Sequence, residues 1–371
     1  MRLPPFKLER FFARHEFKTE YLLCSSDCES MTIAELLSLS PTAAERFKEH
    51  RLGYTESQGA PGLRSEISKI YTTIQPGQVL VHSGAEEAIF LFMHAALESG
   101  DHVIVQAPGY QSLAEVARGL GCSVTLWQAR SSPGWDWDLD DLLNALRPTT
   151  RALVINMPHN PTGYLMSGER FEKLVRIVRD HRLILFADEV YRESEYDAAD
   201  RLPAACDLDD RAVSLGVLSK TYGLPGLRIG WVATHNERIL NAMAMLKDYT
   251  TICNSAPSEF LAELALQQRS ALVQRSMGII KRNLQILDDF FMRHAARFEW
   301  RKPKAGPIAF PRLRRGEVDR FCDRLITEAG VLLLPGSVYD DRRNHFRIGF
   351  GRADMPEAVA RLDDFLRRNA D

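Results

Sequence analysis

The sequence predicts an α/β fold in which a mostly parallel, seven-stranded sheet lies between helices, followed by a smaller α+β domain. Three observations support this prediction. Short apolar runs alternate with amphipathic helical patterns between about residues 50 and 250, an arrangement typical of α/β domains. Beyond about residue 255 the pattern changes to long helices and isolated strand-like pieces. The 371 residues also exceed what one compact core usually contains.

Each predicted strand is short, rich in β-branched residues and without polar alternation. Strands of a parallel sheet that are covered on both faces have this composition. A helix follows the fourth strand, because Ser167 is a suitable N-cap and Phe171 and Val178 fall on one helix face. The seven predicted strands are Val79–His82, Val103–Gln106, Ser123–Trp127, Ala152–Asn156, Leu183–Ala187, Val213–Leu218 and Ile229–Ala233.

We expect three segments, an N-terminal arm (1–49), a large domain (50–254) and a small C-terminal domain (255–371). Residues 1–49 contain no strand-like run, so we expect an arm or lid that packs on the small domain. In that domain the sequence predicts a long helical stretch, three strand-like pieces and a final amphipathic helix. These elements are Ser258–Arg297, then Ile308–Phe310, Val331–Leu334 and Phe346–Phe350, and finally Met355–Arg368.

The overall composition excludes several classes of function. Lys and Arg total 47 and Asp and Glu total 49, for a net charge of −2, so no basic excess is available to neutralise nucleic-acid phosphates. The longest apolar run, Ala88–Leu97, is half of the ~20 residues that cross a membrane, and no secretory signal is recognisable at the N-terminus. The six cysteines form no CxxC pair, so we expect reduced thiols, no metal site and a cytoplasmic location.

Polar residues that follow the strands are candidates for chemistry, since open α/β sheets bind ligands at the carboxyl ends of their strands. After the first strand, Ser83-Gly84-Ala85-Glu86 opens a helix whose free backbone amides suit a phosphate. This signal alone is weak, because many strand–helix turns look alike. Tyr110 follows the second strand and either stacks on a flat ring or packs in the core. Asn160 follows the fourth strand and either faces a ligand or forms an Asx turn.

The next strands end in charged residues. Asp188 follows the fifth strand, where loss of hydration makes a carboxylate require a cationic partner such as a protonated ring nitrogen, and Tyr191 can reach the same ring. Lys220 ends the sixth strand and is either a snorkelling side chain or a nucleophile that forms a Schiff base. Arg228 lies between glycines and suits a phosphate. Each residue alone has an ordinary structural explanation, but together they match one cofactor, pyridoxal 5′-phosphate.

The order of these motifs resembles the class I and II aminotransferases, which have the fold-type I architecture of pyridoxal-phosphate-dependent transferases. The resemblance extends from about residue 50 to residue 351. It is specific, because many separate motifs occur in the family's order. The motifs are Tyr54, Gly59-Ala-Pro-Gly-Leu-Arg64, Ser83-Gly-Ala85, Asn160-Pro-Thr-Gly163, Asp188-Glu-Val-Tyr191, Ser219-Lys220 and Gly226-Leu-Arg228-Ile-Gly230.

The resemblance implies roles for the residues around the cofactor ring. Lys220 is expected to hold the cofactor as a Schiff base and to move the proton at the substrate Cα. Asp188 is expected to keep the ring nitrogen protonated, so that the ring accepts electrons. Asn160 and Tyr191 would contact the ring hydroxyl, and Tyr110 would stack on the ring. The implied catalytic residues are therefore Lys220, Asp188 and Tyr191.

The resemblance also implies groups that bind the phosphate and the substrate. Tyr54 would reach the phosphate of a neighbouring subunit, which implies a homodimer with shared active sites. Arg347 matches the arginine that binds the substrate carboxylate through two hydrogen bonds. Two positions depart from the family pattern, because Val217 replaces a frequent Ser and Glu86 a frequent Thr, so we expect weaker phosphate binding with the Glu86 carboxylate turned away. The phosphate site would comprise Gly84, Ala85, Glu86, Ser219 and Arg228.

The N-terminal arm loosely resembles that of the capreomycidine and enduracididine synthases, which cyclise hydroxylated arginine. Its acids, among them Glu16 and Asp27, either present carboxylates to a guanidinium or ammonium group or are solvated on an amphipathic arm. We therefore hypothesise that Glu16 and Asp27 bind the substrate, together with Arg347 and Asn160. Related arginine oxidases need a histidine in this arm, and none lies between Asp27 and Met31, which disfavours oxidation.

Three classes of function remain. The first interpretation is an aminotransferase that acts on a small-molecule amino acid, with a preference for a basic, arginine-like side chain. The alternative is a pyridoxal-phosphate-dependent lyase or cyclase that converts a hydroxyarginine to a cyclic guanidino amino acid and needs no keto-acid acceptor. A non-catalytic binding protein, such as the effector domain of a transcription regulator, is disfavoured because Lys220 is present and no helix-turn-helix pattern precedes residue 50.

Overall fold

A seven-stranded sheet forms the centre of the large domain in the computed structural model, which describes residues 2–130 and 134–369. Its strands are β1 (Val79–His82), β2 (His102–Ala107), β3 (Ser123–Gln128), β4 (Thr150–Asn156), β5 (Ile184–Asp188), β6 (Val213–Val217) and β7 (Gly230–Ala233). They are arranged in the order β1-β7-β6-β5-β4-β2-β3. Only β7 is antiparallel to its neighbours in this sheet. The predicted α/β fold, with a mostly parallel seven-stranded sheet, is confirmed.

Helices cover both faces of this sheet. In chain order the described helices are α1 (Lys7–His15), α2 (Ile33–Ser38), α3 (Ala43–Lys48), α4 (Pro61–Ser68), α5 (Ala85–Ala96), α6 (Ser112–Gly119), α7 (Leu139–Ala145), α8 (Gly168–Asp180), α9 (Ala205–Leu208), α10 (Glu237–Lys247), α11 (Ala256–Gln267), α12 (Arg269–Arg293), α13 (Val318–Ala329) and α14 (Met355–Arg368). Short 3₁₀ helices lie at Pro76–Gln78, Ala198–Asp200, Pro225–Leu227 and Gly336–Tyr339. Of the helices described, none combines the length and apolar composition needed to cross a bilayer.

The central strands are buried because helices pack on each side of them. Phe186 of β5 stacks on Phe92 of α5, with ring centroids 4.3 Å apart. On the other face, Leu185 shares a core with Leu174 of α8. That helix begins at the predicted N-cap, where the Ser167 side chain accepts a hydrogen bond from the first turn. Burial on both faces explains the continuous apolar composition of these strands.

The register of the parallel strands brings polar residues to one edge of the sheet. Asn156, at the end of β4, pairs with Asp188, at the end of β5. Asp188 in turn pairs with Leu215 of β6. The chain leaves β6 at this same edge and continues into Ser219 and Lys220. Residues that are far apart in sequence therefore meet at the carboxyl ends of three adjacent strands.

The C-terminal domain packs α12, α13 and α14 against short strands. These are β8 (Phe298–Glu299), β9 (Ile308–Ala309), β10 (Arg312–Leu313), β11 (Leu334–Pro335) and β12 (Phe346–Gly349), and they pair as β11-β12-β9 and β10-β8. The second strand-like piece was predicted at 331–334, but only its last residue lies in β11. Val331 instead forms an isolated bridge with Tyr21 of the arm. The final helix has the predicted bounds.

The long helical stretch predicted after residue 258 is divided at Gln268. The first part, α11, places Leu261 and Leu264 in the same core as Leu63 of α4 and Trp231 of β7. The core of the large domain therefore extends past residue 254, where the sequence prediction ends that domain. The apolar face of α11 is the reason, because it is buried against the large domain. The limits of the domains otherwise stay a prediction.

The N-terminal arm contacts both domains. The Gly349 amide of β12 donates to the Leu23 carbonyl (3.0 Å), so the middle of the arm lies on the small domain. The rings of Phe47 in α3 and Phe260 in α11 are 5.5 Å apart, so the last part lies on the large domain instead. A side chain at Gly349 or Gly351 would overlap the carbonyl groups of the arm. Contacts with the small domain, which we expect for the whole arm, are thus made by its middle part and by α1, where Lys7 pairs with Asp340.

Candidate active site

A cavity of about 420 Å³ lies where the carboxyl-terminal edge of the large sheet meets the arm and the C-terminal domain. It brings together most of the residues that the sequence predicts for the site. Two predicted residues lie elsewhere, Gly84 beneath the Arg228 side chain and Tyr54 on the surface, where it is 95% exposed. The predicted residues that line the cavity are Glu16, Asp27, Ala85, Glu86, Tyr110, Asn160, Asp188, Tyr191, Ser219, Lys220, Arg228 and Arg347.

Lys220 reaches the cavity from the loop after β6. Its Nζ donates a hydrogen bond to Ser26 Oγ of the arm over 2.9 Å. Burial lowers the pKa of Lys220, an effect that the nearby carboxylates of Asp27 and Asp188 oppose. A lowered pKa increases the neutral fraction of an amine, which is the form that acts as a nucleophile or as a base. Lys220 therefore has the environment that covalent catalysis by an amine requires.

Asp188 is a buried carboxylate at the end of β5, only 5% exposed. Its Oδ1 accepts a hydrogen bond from the Val190 amide at 3.2 Å. Among the described residues, no basic side chain lies within ion-pair distance of it. Burial raises the pKa of Asp188 to about 7. A carboxylate in this position gains most from a cationic group supplied by a ligand.

The turn after β1 forms a cradle at the start of α5. Gly84 has a φ of 85° and supplies no side-chain cap, so the first amides of α5 remain available to an anion. Arg228, whose φ is 53°, places its guanidinium beside Gly84. A Cβ atom on Gly230 would lie 2.8 Å from the Gly84 carbonyl carbon. Glycine at position 230 therefore allows β7 to approach the turn closely.

Glu86, in the first turn of α5, accepts a hydrogen bond from the Ser112 hydroxyl at 3.1 Å. Burial raises the pKa of Glu86 to about 7, which reduces its negative charge beside the cradle. The neighbouring Val217 lines the cavity with an apolar side chain. Both of the positions that depart from the family pattern therefore contact the site.

Three residues expected near a cofactor ring, Asn160, Tyr191 and Tyr110, differ in which of their polar groups already have a hydrogen-bond partner. Asn160 Oδ1 accepts hydrogen bonds from Tyr339 Oη (3.1 Å) and Arg347 Nη1 (3.3 Å), so its amide NH₂ is the part that faces a ligand. The Tyr191 hydroxyl donates to the Ser26 carbonyl at 3.1 Å. Its expected contact with a ring hydroxyl therefore stays a prediction. The Tyr110 ring lines the cavity and contacts Phe6 at 5.0 Å between centroids.

Arg347 is a buried guanidinium, only 1% exposed, on β12. Its Nε donates to the Cys24 carbonyl at 2.9 Å, and its Nη1 donates to Tyr339 Oη at 2.5 Å. Its Nη2 has no partner in the described part of the chain. A buried donor without an acceptor is costly, so this nitrogen is placed to bind an anionic group such as a substrate carboxylate.

Carboxylates of the arm form another wall of the cavity. Asp27 accepts hydrogen bonds from Arg352 through both oxygens, the shorter at 2.9 Å. Glu9 and Glu16 line the same cavity, and no ion pair is found for either within residues 2–130 and 134–369. Burial raises the pKa of Glu16, an effect that Arg352 opposes. The arm acids without an ion pair among the described residues are therefore Glu9 of α1 and Glu16 directly after it, whereas Asp27 is already neutralised.

Sequence reasoning missed several residues that contribute to this cavity. Ser26, Tyr339 and Arg352 lie in the arm, in a short 3₁₀ helix and after β12. None of these segments has a periodic pattern that indicates which side chain points inward. Asn156 ends an apolar strand, and that position could have identified it. Across the described residues no group of three or more His, Cys, Asp and Glu side chains is placed to hold a metal ion.

The sequence profile of the family "Aminotransferase class I and II" matches residues 20–362. The chain belongs to this family. The match includes every polar segment that follows the central strands, together with β12 and its buried arginine. The family predicted from the sequence motifs is therefore confirmed.

Three relatives of the aminotransferase family resemble the chain over its full length. Capreomycidine synthase from Streptomyces vinaceus is 30% identical over 376 aligned residues, which cover 99% of this chain and 95% of that protein. A PLP-dependent aminotransferase from Streptococcus suis 89-1591 is 33% identical with a TM-score of 0.93, covering 99% of each chain. The PLP-dependent cyclase OrfR is 31% identical with a TM-score of 0.91, covering 100% of this chain and 98% of that one.

Pyridoxal 5′-phosphate is the cofactor of class I and II aminotransferases, and the residues of this cavity fit it. In the described part of the chain Asp188 has no cationic partner, and a protonated ring nitrogen would provide one. Lys220 offers an amine to an aldehyde. The amides that follow Gly84, with Arg228 beside them, suit a phosphate. When bound, the cofactor supplies an electrophilic carbon and a ring that accepts electrons. Membership of the aminotransferase family therefore confirms the prediction that the cofactor is pyridoxal 5′-phosphate.

We expect Gly230→Ala to weaken binding of pyridoxal 5′-phosphate by about ten-fold or more. The added Cβ would lie 2.8 Å from the Gly84 carbonyl carbon and would displace the cradle, whereas a Cβ on Gly226 meets nothing within 4 Å. Gly226→Ala is therefore the matched control. The dissociation constant is measured by titrating the cofactor-free protein and following visible absorbance. Equal affinities of the two variants would contradict this role of Gly230.

We expect Asp188→Asn to stabilise the cofactor-free protein at about pH 8 and to have little effect at about pH 4. The folded-state pKa is raised from 3.8 to about 7, so the contribution of this group is present below the unfolded pKa and is lost as the pH rises through about 7. Denaturant unfolding at both pH values measures the effect. The exposed Asp180→Asn is the control, and a wild-type protein that is more stable than Asp188→Asn at the higher pH would refute the assignment.

Proposed function

We propose that the chain is a pyridoxal-phosphate-dependent enzyme that acts on an amino acid with a cationic side chain, such as an arginine derivative. The observation that carries this proposal is the pair of unpaired carboxylates, Glu9 and Glu16, on the arm wall of the cavity. Arg228 would bind the cofactor phosphate and Arg347 the substrate carboxylate. Arg352 is neutralised by Asp27. The charge that remains for the substrate side chain is therefore negative, and it favours a guanidinium or ammonium group.

For the reaction, we propose loss of water from a hydroxylated arginine followed by ring closure. The Cα proton and the Cβ hydroxyl leave as water, a guanidino nitrogen forms a bond to Cβ with loss of its proton, and a proton returns to Cα. No electrons are gained or lost overall, so no keto-acid acceptor is needed. Similarity to capreomycidine synthase and to the cyclase OrfR extends through the arm, which supports this branch. The arm wall is where the reacting side chain would lie.

Each residue of the cavity would have a separate role in this reaction. The free Nη2 of Arg347 would bind and orient the substrate carboxylate. Lys220 would move the proton at Cα, since a neutral amine is a suitable base. Asp188 would hold a proton on the ring nitrogen through a buried ion pair. The arm, which Asp27 joins to Arg352, would limit the access of water to the reacting atoms.

Amino transfer is a second candidate, because the similar protein from Streptococcus suis is described as an aminotransferase and the same residues serve both reactions. The charge of the cavity argues against a dicarboxylic keto acid as acceptor. Such an acceptor would place its second carboxylate near Glu9 and Glu16, where like charges repel. A monocarboxylic keto acid avoids this repulsion. A preference for such an acceptor would therefore accompany amino transfer.

We also propose that two copies of the chain associate through the surface around Tyr54, as the family typically does. Large apolar side chains are exposed on this surface, and such patches mark interfaces between proteins. Thr55 Oγ1 donates to the Asn254 carbonyl at 3.2 Å, so the two segments that carry the patch are joined. Tyr54 would then reach the phosphate of the neighbouring subunit. The exposed side chains are Leu52, Tyr54, Met245, Tyr249 and Ile252.

We expect a panel of amino acids to separate the two reactions when each is incubated with the holoenzyme, with and without a keto acid. Mass spectrometry identifies the products. Loss of water from a hydroxyarginine without an acceptor supports the cyclase or lyase. Products that form only with a keto acid establish amino transfer instead. A preference for acidic or apolar amino acids would refute the proposed substrate class.

We expect Glu16→Gln to lower kcat/KM for the preferred basic amino acid by about ten-fold or more, because a charge-assisted contact of a half-buried carboxylate is lost. Turnover of neutral amino acids should change little. Glu20→Gln is a matched control, since Glu20 is an exposed residue of the same arm outside the cavity. Steady-state kinetics on both variants provide the comparison. Equal losses for basic and neutral substrates would indicate a general effect on folding or cofactor binding.

A further inference from the structure

The Lys220 amine has a hydrogen-bond partner in the N-terminal arm that no sequence motif indicates. Lys220 Nζ lies 2.9 Å from Ser26 Oγ. The carbonyl of the same residue accepts a hydrogen bond from the Tyr191 hydroxyl at 3.1 Å. Ser26 also lines the cavity. One arm residue therefore contacts two side chains that the sequence assigns to catalysis.

The position of Ser26 is fixed by contacts of the residues that follow it in the arm. Its neighbour Asp27 is held by Arg352 through both carboxylate oxygens. Further along, the Glu29 amide donates to the Gly351 carbonyl at 2.8 Å. Both partners belong to the segment that follows β12. The Ser26 hydroxyl is thus presented to the cavity by backbone that is fastened to the C-terminal domain.

We propose that Ser26 is a positioning residue for Lys220, whose hydroxyl holds the free amine where it moves a proton at the substrate. An amine on a flexible side chain loses much rotational freedom when it transfers a proton. The hydrogen bond that the amine donates to a fixed neighbour restricts this rotation before the substrate reacts. This inference rests on the proposed function only in that Lys220 is the proton-transfer group. It does not depend on the substrate or on the reaction branch.

The electrostatic surroundings of Lys220 agree with this role. Burial is the largest cause that lowers the pKa of Lys220, and Arg347 lowers it further. Asp27, Asp188 and Cys28 act in the opposite direction. The Ser26 oxygen, as a hydrogen-bond acceptor, stabilises the charged amine relative to the neutral amine. Removal of this oxygen therefore changes both the orientation and the titration of Lys220.

A first experiment uses the cofactor-free protein and needs no substrate. Lys220 is labelled with an amine-specific reagent over a range of pH, and the extent is read by mass spectrometry. We expect Ser26→Ala to lower the labelling midpoint by about one pKa unit. Ser30→Ala is the matched control, because Ser30 is an exposed serine of the same arm whose side chain makes no contact with Lys220. An unchanged midpoint in Ser26→Ala overturns the proposal.

A second experiment uses the holoenzyme and any amino acid that it binds, with exchange of the Cα proton for deuterium followed by NMR. We expect Ser26→Ala to slow exchange by about 10- to 100-fold, with kcat reduced and KM little changed. Ser26→Thr retains the hydroxyl and should restore exchange. Unchanged exchange in Ser26→Ala overturns the proposal, and so does slow exchange that Ser26→Thr fails to restore, since lost packing would then explain it. If the substrate panel refutes the proposed substrate class, the labelling experiment still tests the role of Ser26, because it uses no substrate.

Discussion

A single buried guanidinium connects the three parts of this chain. Arg347 extends from the small domain, donates to a carbonyl of the arm at Cys24 and contacts the Asn160 amide of the large domain. A buried charge is tolerated only when its N–H groups have partners. The arm and the turn after β4 must therefore stay within hydrogen-bond distance of it. Arg347 Nη2 has no partner among the described residues, so the substrate carboxylate that we propose to bind there would join the same network.

The cavity is lined by charges of both signs. Cationic groups lie beside the cradle and on β12, whereas the carboxylates without an ion pair among the described residues are Glu9 of α1 and Glu16 directly after it. An amino acid with a cationic side chain would have its carboxylate attracted by the arginines and its side chain attracted by these two carboxylates. Asp188 and Glu86 differ from these carboxylates, because burial raises the pKa of both. Their ionisation would depend on the bound cofactor more than on the substrate.

The strands and the cofactor residues could be predicted because their physical causes are local. A buried strand must be apolar along its length, and a residue that follows it lies at a known edge of the sheet. Lys220 and Asp188 were therefore identified as site residues from position and chemistry. Ser26 and Tyr339 could not be, since irregular segments carry no periodic signal and only tertiary packing orients them. The core that α11 joins was not predictable for a similar reason, because the sequence of this helix does not reveal which domain it packs against.

The close contact between the arm and β12 has a consequence for how this active site can be altered. At Gly349 and Gly351 any side chain would collide with the arm backbone, so the two segments are complementary surfaces. A chimera that receives the arm of a relative would also need the matching strand and its glycines. Transfer of substrate selectivity from a relative would then require both segments, one from each end of the chain. Exchange of either segment alone would give a protein in which the arm and β12 do not fit together.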